Sequence, residues 1–225
     1  MRRIVVVAAL GALGLAAAPE RAAAGGLDLR AGAFFPRAES NLFDDTNELF
    51  GTQKDDWVGF TGGAEYSFGL ADHVELGFHV DGYSRTLDTS YVDFTRPNGG
   101  EIFQTLKLTT APVGATLRFV VNPSRGAFTP YVGGGVDVVY YKYEEFGDFI
   151  DFFNDDRISS DFFIDEGAAF GAHVVGGVRI PFGDDFSLVA EGRYLWAKKD
   201  MGEDFRLNEI DLSGPSATLG INLRF

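Results

Sequence analysis

The feature that most constrains this chain is a strict alternation of residue types over positions 216–225. Ala217, Leu219, Ile221, Leu223 and Phe225 are apolar, and the residues between them are polar or glycine. A period of two places successive side chains on opposite faces of a β-strand. The segment therefore predicts a strand with one apolar face, covered either by lipid or, in a soluble alternative, by the second sheet of a β-sandwich.

Seven further segments alternate in the same way, and each is about 9 to 16 residues long, enough for a tilted strand to cross a bilayer. The eight predicted strands are 27–35, 58–68, 74–83, 105–120, 129–142, 167–182, 186–196 and 216–225. In the fourth strand the apolar phase shifts from Leu106 and Leu108 to Val113, which predicts a β-bulge near Thr110 to Pro112. The pattern predicts an all-β fold, an eight-stranded antiparallel transmembrane β-barrel.

The predicted connections alternate in length. Short, turn-forming sequences lie at 69–72, 122–126 and 183–185, and long links cover 37–56, 85–104, 143–164 and 197–212. Outer-membrane barrels combine tight periplasmic turns with long external loops, whereas uniform hairpins would favour a soluble lipocalin-like barrel. This order places both ends of the predicted barrel on the periplasmic side.

The first 24 residues have the layout of a secretory signal peptide. Arg2 and Arg3 precede an uncharged apolar run over 4–18, and three alanines at 22–24 lead into Gly25. The run is short for a spanning helix, which needs about 20 residues. We therefore expect a cleaved signal peptide at 1–24 and an outer-membrane β-barrel domain at 25–225, integral to the cell outer membrane.

Composition narrows the function classes. The chain of 225 residues has a net charge of −14 and no cysteine. An acidic chain repels phosphate backbones, so nucleic acid is excluded as a partner. The absence of cysteine excludes a small disulfide-stapled secreted domain.

Three stretches carry a family resemblance. The run Thr129-Pro130-Tyr131-Val132-Gly133-Gly134-Gly135 resembles the TPYVGxG strand of small eight-stranded outer-membrane proteins. Residues 181–194 are similar to the sixth turn and seventh strand of that family, and 111–119 resemble its fourth strand. Within this OmpA/OmpX-like superfamily, the order of the strands over 106–225 is most similar to the OmpW-like group.

The resemblance implies partners and roles. A last strand that finishes on an aromatic residue resembles the C-terminal signal that the barrel-assembly machinery reads, which makes Phe225 the predicted assembly signal. OmpW-like barrels are thought to offer a narrow route for small hydrophobic compounds. Outer-membrane lipid, lipopolysaccharide and such solutes are therefore the expected partners.

Catalytic motifs are missing from the sequence. Lipid A deacylases of similar size carry a His-x-Ser pair, but none of His73, His79 and His173 is followed by serine at the second position. No G-x-S-x-G, H-E-x-x-H or P-loop motif is present either. We expect no enzyme activity, no catalytic residue and no cofactor.

The faces of the predicted strands that point into the barrel carry many charges. The polar lumen cluster predicted on this basis comprises Glu65, Glu75, His79, Arg118, His173, Arg179, Glu191 and Arg193, with further inward charges at Arg30, Asp81, Lys107, Asp137 and Arg224. Glu65 and Glu75 are expected to face each other across one hairpin, with Arg118 and Arg179 as neutralising partners. The charges predict a polar plug that fills the barrel, and a constricted path with a charged gate is the alternative.

His79, Asp81 and His173 are also predicted at similar depth, and two imidazoles with a carboxylate can ligate zinc. The simpler interpretation, hydrogen-bonded polar filling of a small barrel, is preferred, so no metal is expected.

The long links mix acidic residues with phenylalanine. The predicted loop mouth comprises Phe146, Phe149, Phe152 and Phe153, among carboxylates such as Glu145 and Asp148. Three interpretations stay open: a solvated acidic loop, a contact with the anionic outer leaflet through divalent cations, and a mouth that collects apolar solutes. The leading predicted function is an envelope structural role or passage of small apolar solutes. The alternative is a surface binding or adhesion module that uses the acidic, Phe-rich external loops.

Overall fold

A computed structural model describes residues 25–121, 128–151, 157–202, 205 and 208–225. The predicted signal peptide at 1–24 and the predicted turn at 122–126 lie outside the described residues. Within them the elements, in chain order, are β1 (Gly25–Phe34), α1 (Asn41–Phe50), a 3-10 helix (Lys54–Trp57), β2 (Gly59–Ala71), β3 (Val74–Thr95), β4 (Glu101–Val120), β5 (Thr129–Asp151), β6 (Arg157–Pro181), β7 (Phe186–Asp200), β8 (Glu209–Asp211) and β9 (Gly214–Arg224).

Eight of the nine strands in the described ranges form a closed antiparallel barrel. Strands β1 to β7 each pair with the next, and β9 pairs with both β7 and β1. The short strand β8 pairs only with the last three residues of β7, Lys198 to Asp200. Backbone hydrogen bonds of 3.1 Å in both directions between Gly25 and Phe225 complete the seam. The predicted eight-stranded barrel is confirmed.

The predicted bulge in β4 is wrong. The register between β4 and β5 runs without a shift from Gln104 opposite Gly147 to Val120 opposite Tyr131. Leu106 and Leu108 lie on the same inward face as Arg118, and Lys107 lies on the outward face, where it contacts Glu144. The pleat of β4 is continuous. The apolar side chains change face because they point outward to the apolar belt in one half of the strand and inward to a buried core in the other. Pro112 interrupts only the ladder toward β3.

Two of the long links are mostly strand. β3 continues to Thr95 and β4 begins at Glu101, so the predicted link 85–104 contains a connection of only five residues, 96–100. β5 likewise continues to Asp151, and β6 begins at Arg157. These extensions carry the wall well beyond the apolar belt. We call the end with the turns at 72–73 and 182–185 the turn end, and the opposite end the loop end.

An apolar belt surrounds the half of the barrel nearer the turn end. Its outward side chains include Phe170 (88% exposed), Leu219, Val136, Phe60, Leu188 and Val174. Aromatic rings lie at both edges of the belt, with Tyr66 and Phe225 stacked at the turn end and Tyr140 and Trp196 outward toward the loop end. This arrangement matches the lipid-facing band and aromatic girdles of outer-membrane barrels. Among the described helices, none is long and apolar enough to cross a membrane.

A second core lies inside the barrel at the loop end. Helix α1 is amphipathic and inserts Leu42, Phe43 and Phe50 into the barrel. It ends at Gly51, whose positive φ of 64° allows its N–H to bond the carbonyl of Asn47. The other buried members include Trp57, Tyr83, Leu87, Ile102, Leu106, Leu108, Val139, Tyr143, Leu195, Ile210 and Leu212. We call this set the outer core, and it closes the barrel at the loop end in the described residues.

Candidate functional site: the lumen network and the loop-end recess

The interior of the belt holds an ion-pair network, which we call the lumen network. Its members are the guanidinium groups of Arg30, Arg118, Arg179 and Arg193 and the carboxylates of Asp28, Glu65, Glu75, Asp81, Asp137 and Glu191, with His79 and His173 attached through Asp137. The members lie on all seven strands from β1 to β7. On each strand every second side chain points into the lumen, so each strand can contribute.

Arg118 is the centre of the network. It extends from β4, and its side chain is fully buried. Nη2 lies 3.0 Å from Glu191 Oε2, Nη1 lies 3.5 Å from Asp28 Oδ2, and Nη1 also contacts Glu65. One guanidinium therefore links β4 to β1, β2 and β7 across the lumen. Charge-assisted contacts of this kind are strong only where every partner is satisfied.

Further arginines on both sides of Arg118 along the barrel axis also pair with carboxylates from other strands. Toward the loop end, Arg193 contacts Asp81 at 3.1 Å and both Glu65 and Glu191 at 3.3 Å, and Arg30 contacts the same three carboxylates. Toward the turn end, Arg179 holds Glu75 at 2.8 Å. The predicted role of Arg118 and Arg179 as neutralising partners is confirmed.

The predicted pairing of Glu65 with Glu75 is wrong. In the hairpin of β2 and β3, Glu65 lies opposite His79, and Glu75 lies opposite Gly69. Counting equally from Leu70 misplaces the pair because the hairpin turns at residues 72–73, so the centre of its register lies about two residues beyond Leu70. The two carboxylates therefore bind different arginines.

Sequence reasoning missed several members of the lumen. Asp28 accepts a 2.6 Å hydrogen bond from Asn222 and contacts Arg118, and its place between the outward Leu27 and Leu29 would have revealed it. Tyr131 lies between two guanidinium groups, 4.8 Å from Arg118 and 5.1 Å from Arg179, and donates a 2.7 Å hydrogen bond to Glu191. No spacing in the sequence indicates that stacking, since it depends on three strands.

Inward glycines make room for the network. A Cβ on Gly77 would lie 2.3 Å from Glu65 Oε1, and one on Gly63 would lie 2.0 Å from Asp81 Oδ1. Large charged side chains are thus matched to missing side chains on neighbouring strands. This matching allows a narrow eight-stranded barrel to hold so many long side chains.

Little space is left inside. Between the lumen network and the outer core lies a cavity of about 40 Å³, bordered by Asp81, Tyr83, Pro112, Asp137 and Arg193, among others. A water molecule needs roughly 10–15 Å³, so this volume holds only a few. The described residues therefore fill the lumen with paired charges, as the polar-plug interpretation predicts.

Two imidazoles converge on one carboxylate within the network. His79 Nε2 lies 2.9 Å from Asp137 Oδ1, and His173 Nδ1 lies 2.6 Å from Asp137 Oδ2. The two histidine rings are in contact, with centroids 5.1 Å apart. The sequence alone could not predict this contact. Asp137 takes the place predicted for Asp81, which lies 3.9 Å from His79.

The second candidate site is a recess at the loop end, outside the outer core. It has a volume of about 460 Å³ and lies between α1, the extensions of β3, β5 and β6, and residues 205 and 208. Its apolar wall comprises Leu42, Leu49, Phe50, Tyr91, Phe149, Phe163 and Phe205, and its polar wall comprises Asp45, Thr46, Glu48, Glu145 and Asn208.

Only part of the predicted loop mouth reaches the recess. Phe149 packs edge-to-face against Phe163 in its wall, at 4.8 Å between ring centroids. Phe146 points to the outside of the barrel and is 43% exposed. Phe152 and Phe153 lie outside the described residues. Phe163 and Phe205, which line the recess with Phe149, were not in the predicted set.

Glu145 is one of three carboxyl side chains among the described residues of the recess wall, and it lies on β5 beyond the apolar belt. Burial raises the pKa of this carboxyl to about 7, against the opposing effect of the hydrogen bond from Tyr143. That bond is 2.9 Å long, donated by the phenol to Oε1. The recess thus contains a carboxyl that changes charge near neutral pH.

A closed eight-stranded barrel with an apolar outer belt, aromatic edges and a charged interior defines a small integral outer-membrane protein. Residues 5–225 match the family described as "Outer membrane protein beta-barrel domain", and the chain belongs to this family. Members are generally non-enzymatic structural or transport proteins. The family match does not extend to the OmpW-like group, so that assignment stays a prediction. No curated protein matches the sequence.

Solved structures agree on the fold. The outer membrane protein OprG from Pseudomonas aeruginosa is 14% identical, with a TM-score of 0.56 over 91% of this chain and 97% of that one. Neisserial surface protein A is 15% identical, with a TM-score of 0.50 over 90% and 97%. At these identities the likeness establishes the barrel alone.

Proposed function

We propose that this protein is a non-conducting outer-membrane barrel that binds small apolar molecules in its loop-end recess, on the extracellular side. The observation that carries the proposal is the recess of about 460 Å³, with aromatic walls and a floor closed by the outer core. Ligand pockets of some 300–1,000 Å³ with apolar walls and a few polar groups are typical of small-molecule sites.

The recess is built from rigid elements. Its β5 and β6 walls are strand extensions paired without interruption, from Tyr140 opposite Ala168 to Asp151 opposite Arg157. Helix α1 is held by its buried Leu42 and Phe43. Preformed walls reduce the entropy lost when a ligand binds. Of the Phe-rich mouth predicted from the sequence, Phe149 forms part of the recess wall, and it is the residue that we expect to contact the ligand.

The lumen supports the non-conducting part of the proposal. Ions entering from the recess would meet Trp57, Tyr143 and Leu106, which are fully buried in the outer core. Beyond that layer they would meet Arg118 and its carboxylates. A path through both would require unpacking apolar side chains and breaking buried ion pairs, each of which is costly.

Fluorescence of N-phenyl-1-naphthylamine tests the binding. The purified barrel in detergent should bind this apolar dye saturably, and Phe149→Ala should weaken binding about tenfold, since removing a phenyl contact costs on the order of 1–2 kcal/mol. Phe146→Ala is the matched control, because that ring is three residues away on the outer surface. The absence of saturable binding by the wild type, or equal losses in both variants, would contradict the proposal.

Planar-bilayer recording tests the closed lumen. Purified wild-type protein should give no discrete channels. A large, steady, ion-selective conductance that falls when the lumen is blocked would refute this part.

A second candidate function, surface adhesion, is favoured by a different observation. Outward aromatic and apolar side chains on the strand extensions, namely Val92, Phe94, Phe103, Phe146 and Phe162, lie beyond the belt and are exposed. Phe146 and Phe162 are directly paired across β5 and β6. Exposed apolar patches of this kind mark contact surfaces. We call these five residues the outer patch.

Adherence of expressing bacteria to polystyrene separates the two functions. The double variant Phe103→Ser/Phe162→Ser should lower adherence while leaving dye binding unchanged, and Phe149→Ala should do the reverse. Adherence that is unchanged in the outer-patch variant argues against the adhesion function.

A further inference from the structure

The trio His79, Asp137 and His173 has no part in the proposed recess function. Its members stand on β3, β5 and β6, and their side chains are almost completely buried in the lumen. One ligand atom from each lies within 4.8 Å of the others. Imidazole nitrogen and carboxylate oxygen are ligands that zinc and neighbouring divalent metals accept.

The barrel wall is shaped around this trio. A Cβ on Gly114 would lie 2.5 Å from Asp137 Oδ1 and 2.8 Å from His79 Cε1. A Cβ on Gly135 would lie 2.7 Å from His173 Cε1. The two glycines stand on the wall strands β4 and β5, and each Cβ would also lie within 2.4 Å of a carbonyl oxygen on the neighbouring strand, so any other residue would disturb the wall together with the trio.

Hydrogen-bond counting favours an added positive charge at the trio, which either a proton or a metal ion would supply. Thr116 Oγ1 lies 2.9 Å from His173 Nε2 and 3.4 Å from His79 Nδ1, which are the nitrogens turned away from Asp137. If both rings are neutral and donate to Asp137, their far nitrogens are both acceptors, and one hydroxyl proton serves only one of them. If the near nitrogens bind a metal, both far N–H groups donate to the Thr116 oxygen, as outer ligands of metal-bound histidines commonly require.

Charge counting points the same way. The lumen network contains four guanidinium groups and six carboxylates, a sum of −2 with neutral imidazoles. Buried charge without compensation is costly. A divalent cation at the trio would bring the sum to zero.

We propose that His79, Asp137 and His173 bind one divalent transition-metal ion of the zinc class inside the barrel. The cavity of about 40 Å³ bordered by Asp137 supplies room for a water ligand and a polar approach. Thr116 orients both rings and is a positioning residue. The ion would link β3, β5 and β6 and neutralise the lumen network.

The test uses protein purified from membranes without a polyhistidine tag. Zn²⁺ calorimetry should give one site per barrel, and Co²⁺ should give the visible absorption bands of a nitrogen- and oxygen-ligated ion. His79→Gln and His173→Gln should abolish this site, and Thr116→Val should weaken it about 10–100-fold. His73→Gln is the matched control, because His73 is an exposed histidine at the turn end whose ring bonds the Val120 carbonyl and stacks on Phe119, far from the trio.

Heat-modifiability on gels shows whether each variant is folded. Wild type without saturable one-to-one binding overturns the proposal, as does equal affinity in the folded His79→Gln and His173→Gln proteins. If a glutamine variant does not fold, the imidazole resonances of the wild type decide. They should shift with one equivalent of Zn²⁺, and resonances of His79 and His173 that respond to pH alone would identify a proton site and overturn the metal site.

Discussion

The two halves of this barrel are opposite in polarity although the same strands build both. On β5, the half within the belt points Val132 and Val136 to the outside and Asp137 to the inside. Beyond the belt the same strand points Glu144 outward and Tyr143 inward, where it is fully buried. One half resembles a membrane barrel and the other a soluble β-barrel with a helix in its core.

The difference shows what determines each face. In the belt the outside is lipid, so apolar residues face out and the charges pair within the lumen. Beyond it the outside is water, and the helix α1 gives the interior an apolar surface to pack against. Alternation with a period of two persists through both halves, and only the identity of the apolar face changes.

The largest effect should come from removing the central cation of the lumen network. Arg118→Met leaves Glu65, Glu191 and Asp28 without their shared partner and should lower the free energy of unfolding by about 3–5 kcal/mol. Urea titration of the barrel in lipid vesicles measures it. Lys198→Met, which removes an exposed 2.7 Å pair with Glu209, is the control and should cost at most about 1 kcal/mol. Similar losses in the two variants would show that the network is solvated.

A smaller effect is expected from a charge on the outward face of β5. Val138→Arg within the belt should cost about 2–4 kcal/mol near the bilayer midplane. Phe146→Arg, on the same face of the same strand but beyond the belt, should cost under about 0.5 kcal/mol. Folding yields in vesicles and urea titrations measure both. Equal tolerance of arginine at the two positions would place the lipid boundary elsewhere.

The loop-end half should respond to pH through Glu145. Its carboxyl has a pKa of about 7 in the folded protein and an ordinary value of 4.5, so the folded state binds more protons between these values. The contribution of this carboxyl to stability is therefore greatest below about pH 4.5 and is lost as the pH rises through 7. Glu145→Gln should remove this dependence and add on the order of 1–3 kcal/mol at pH 8.5. Glu144→Gln should keep the dependence of the wild type, and urea titrations at several pH values compare the three proteins.

The smallest effect on stability is expected at the seam. Phe225 is exposed and stacks on Tyr66 at 6.1 Å, so deleting it removes one surface contact and the terminal pair of backbone hydrogen bonds with Gly25. We expect slower assembly in cells with little change in final stability, because Phe225 is the predicted assembly signal. Pulse-chase assembly assays with heat-modifiability as readout measure this. Normal outer-membrane levels at normal rates would contradict the assignment.

Local alternation was enough to predict most of the fold. All eight strands were located because each has one apolar face within the belt, as in β9 with Leu219 and Ile221. The extensions of β3 to β6 were predicted as loops because their apolar side chains point inward. That orientation is favourable only because α1 packs inside the barrel, and the packing of α1 is a long-range contact. The same contact explains the wrongly predicted bulge, since Leu106 and Leu108 point inward and pack in the outer core, whereas the apolar residues within the belt point outward to lipid.

The candidate sites were predicted less completely. Parity along each strand placed Glu65, Arg118, Arg179 and Glu191 in the lumen, since facing is a local property. Which inward side chains contact each other depends on the register and stagger of the strands around the barrel. For this reason the predicted pairing of Glu65 with Glu75 was wrong. The recess depends on where helix α1 packs, and no spacing within the sequence gives that position.

With the loop end on the extracellular side, as proposed above, the strand extensions determine what an antibody or a phage would recognise on the intact cell. Side chains such as Phe146 and Phe162 are sixteen positions apart in the chain but adjacent on a stiff sheet. An epitope there is assembled from neighbouring strands and exists only in the folded barrel. Sera raised against short peptides or denatured protein should therefore recognise the intact surface poorly, whereas an immunogen that retains the barrel presents it whole.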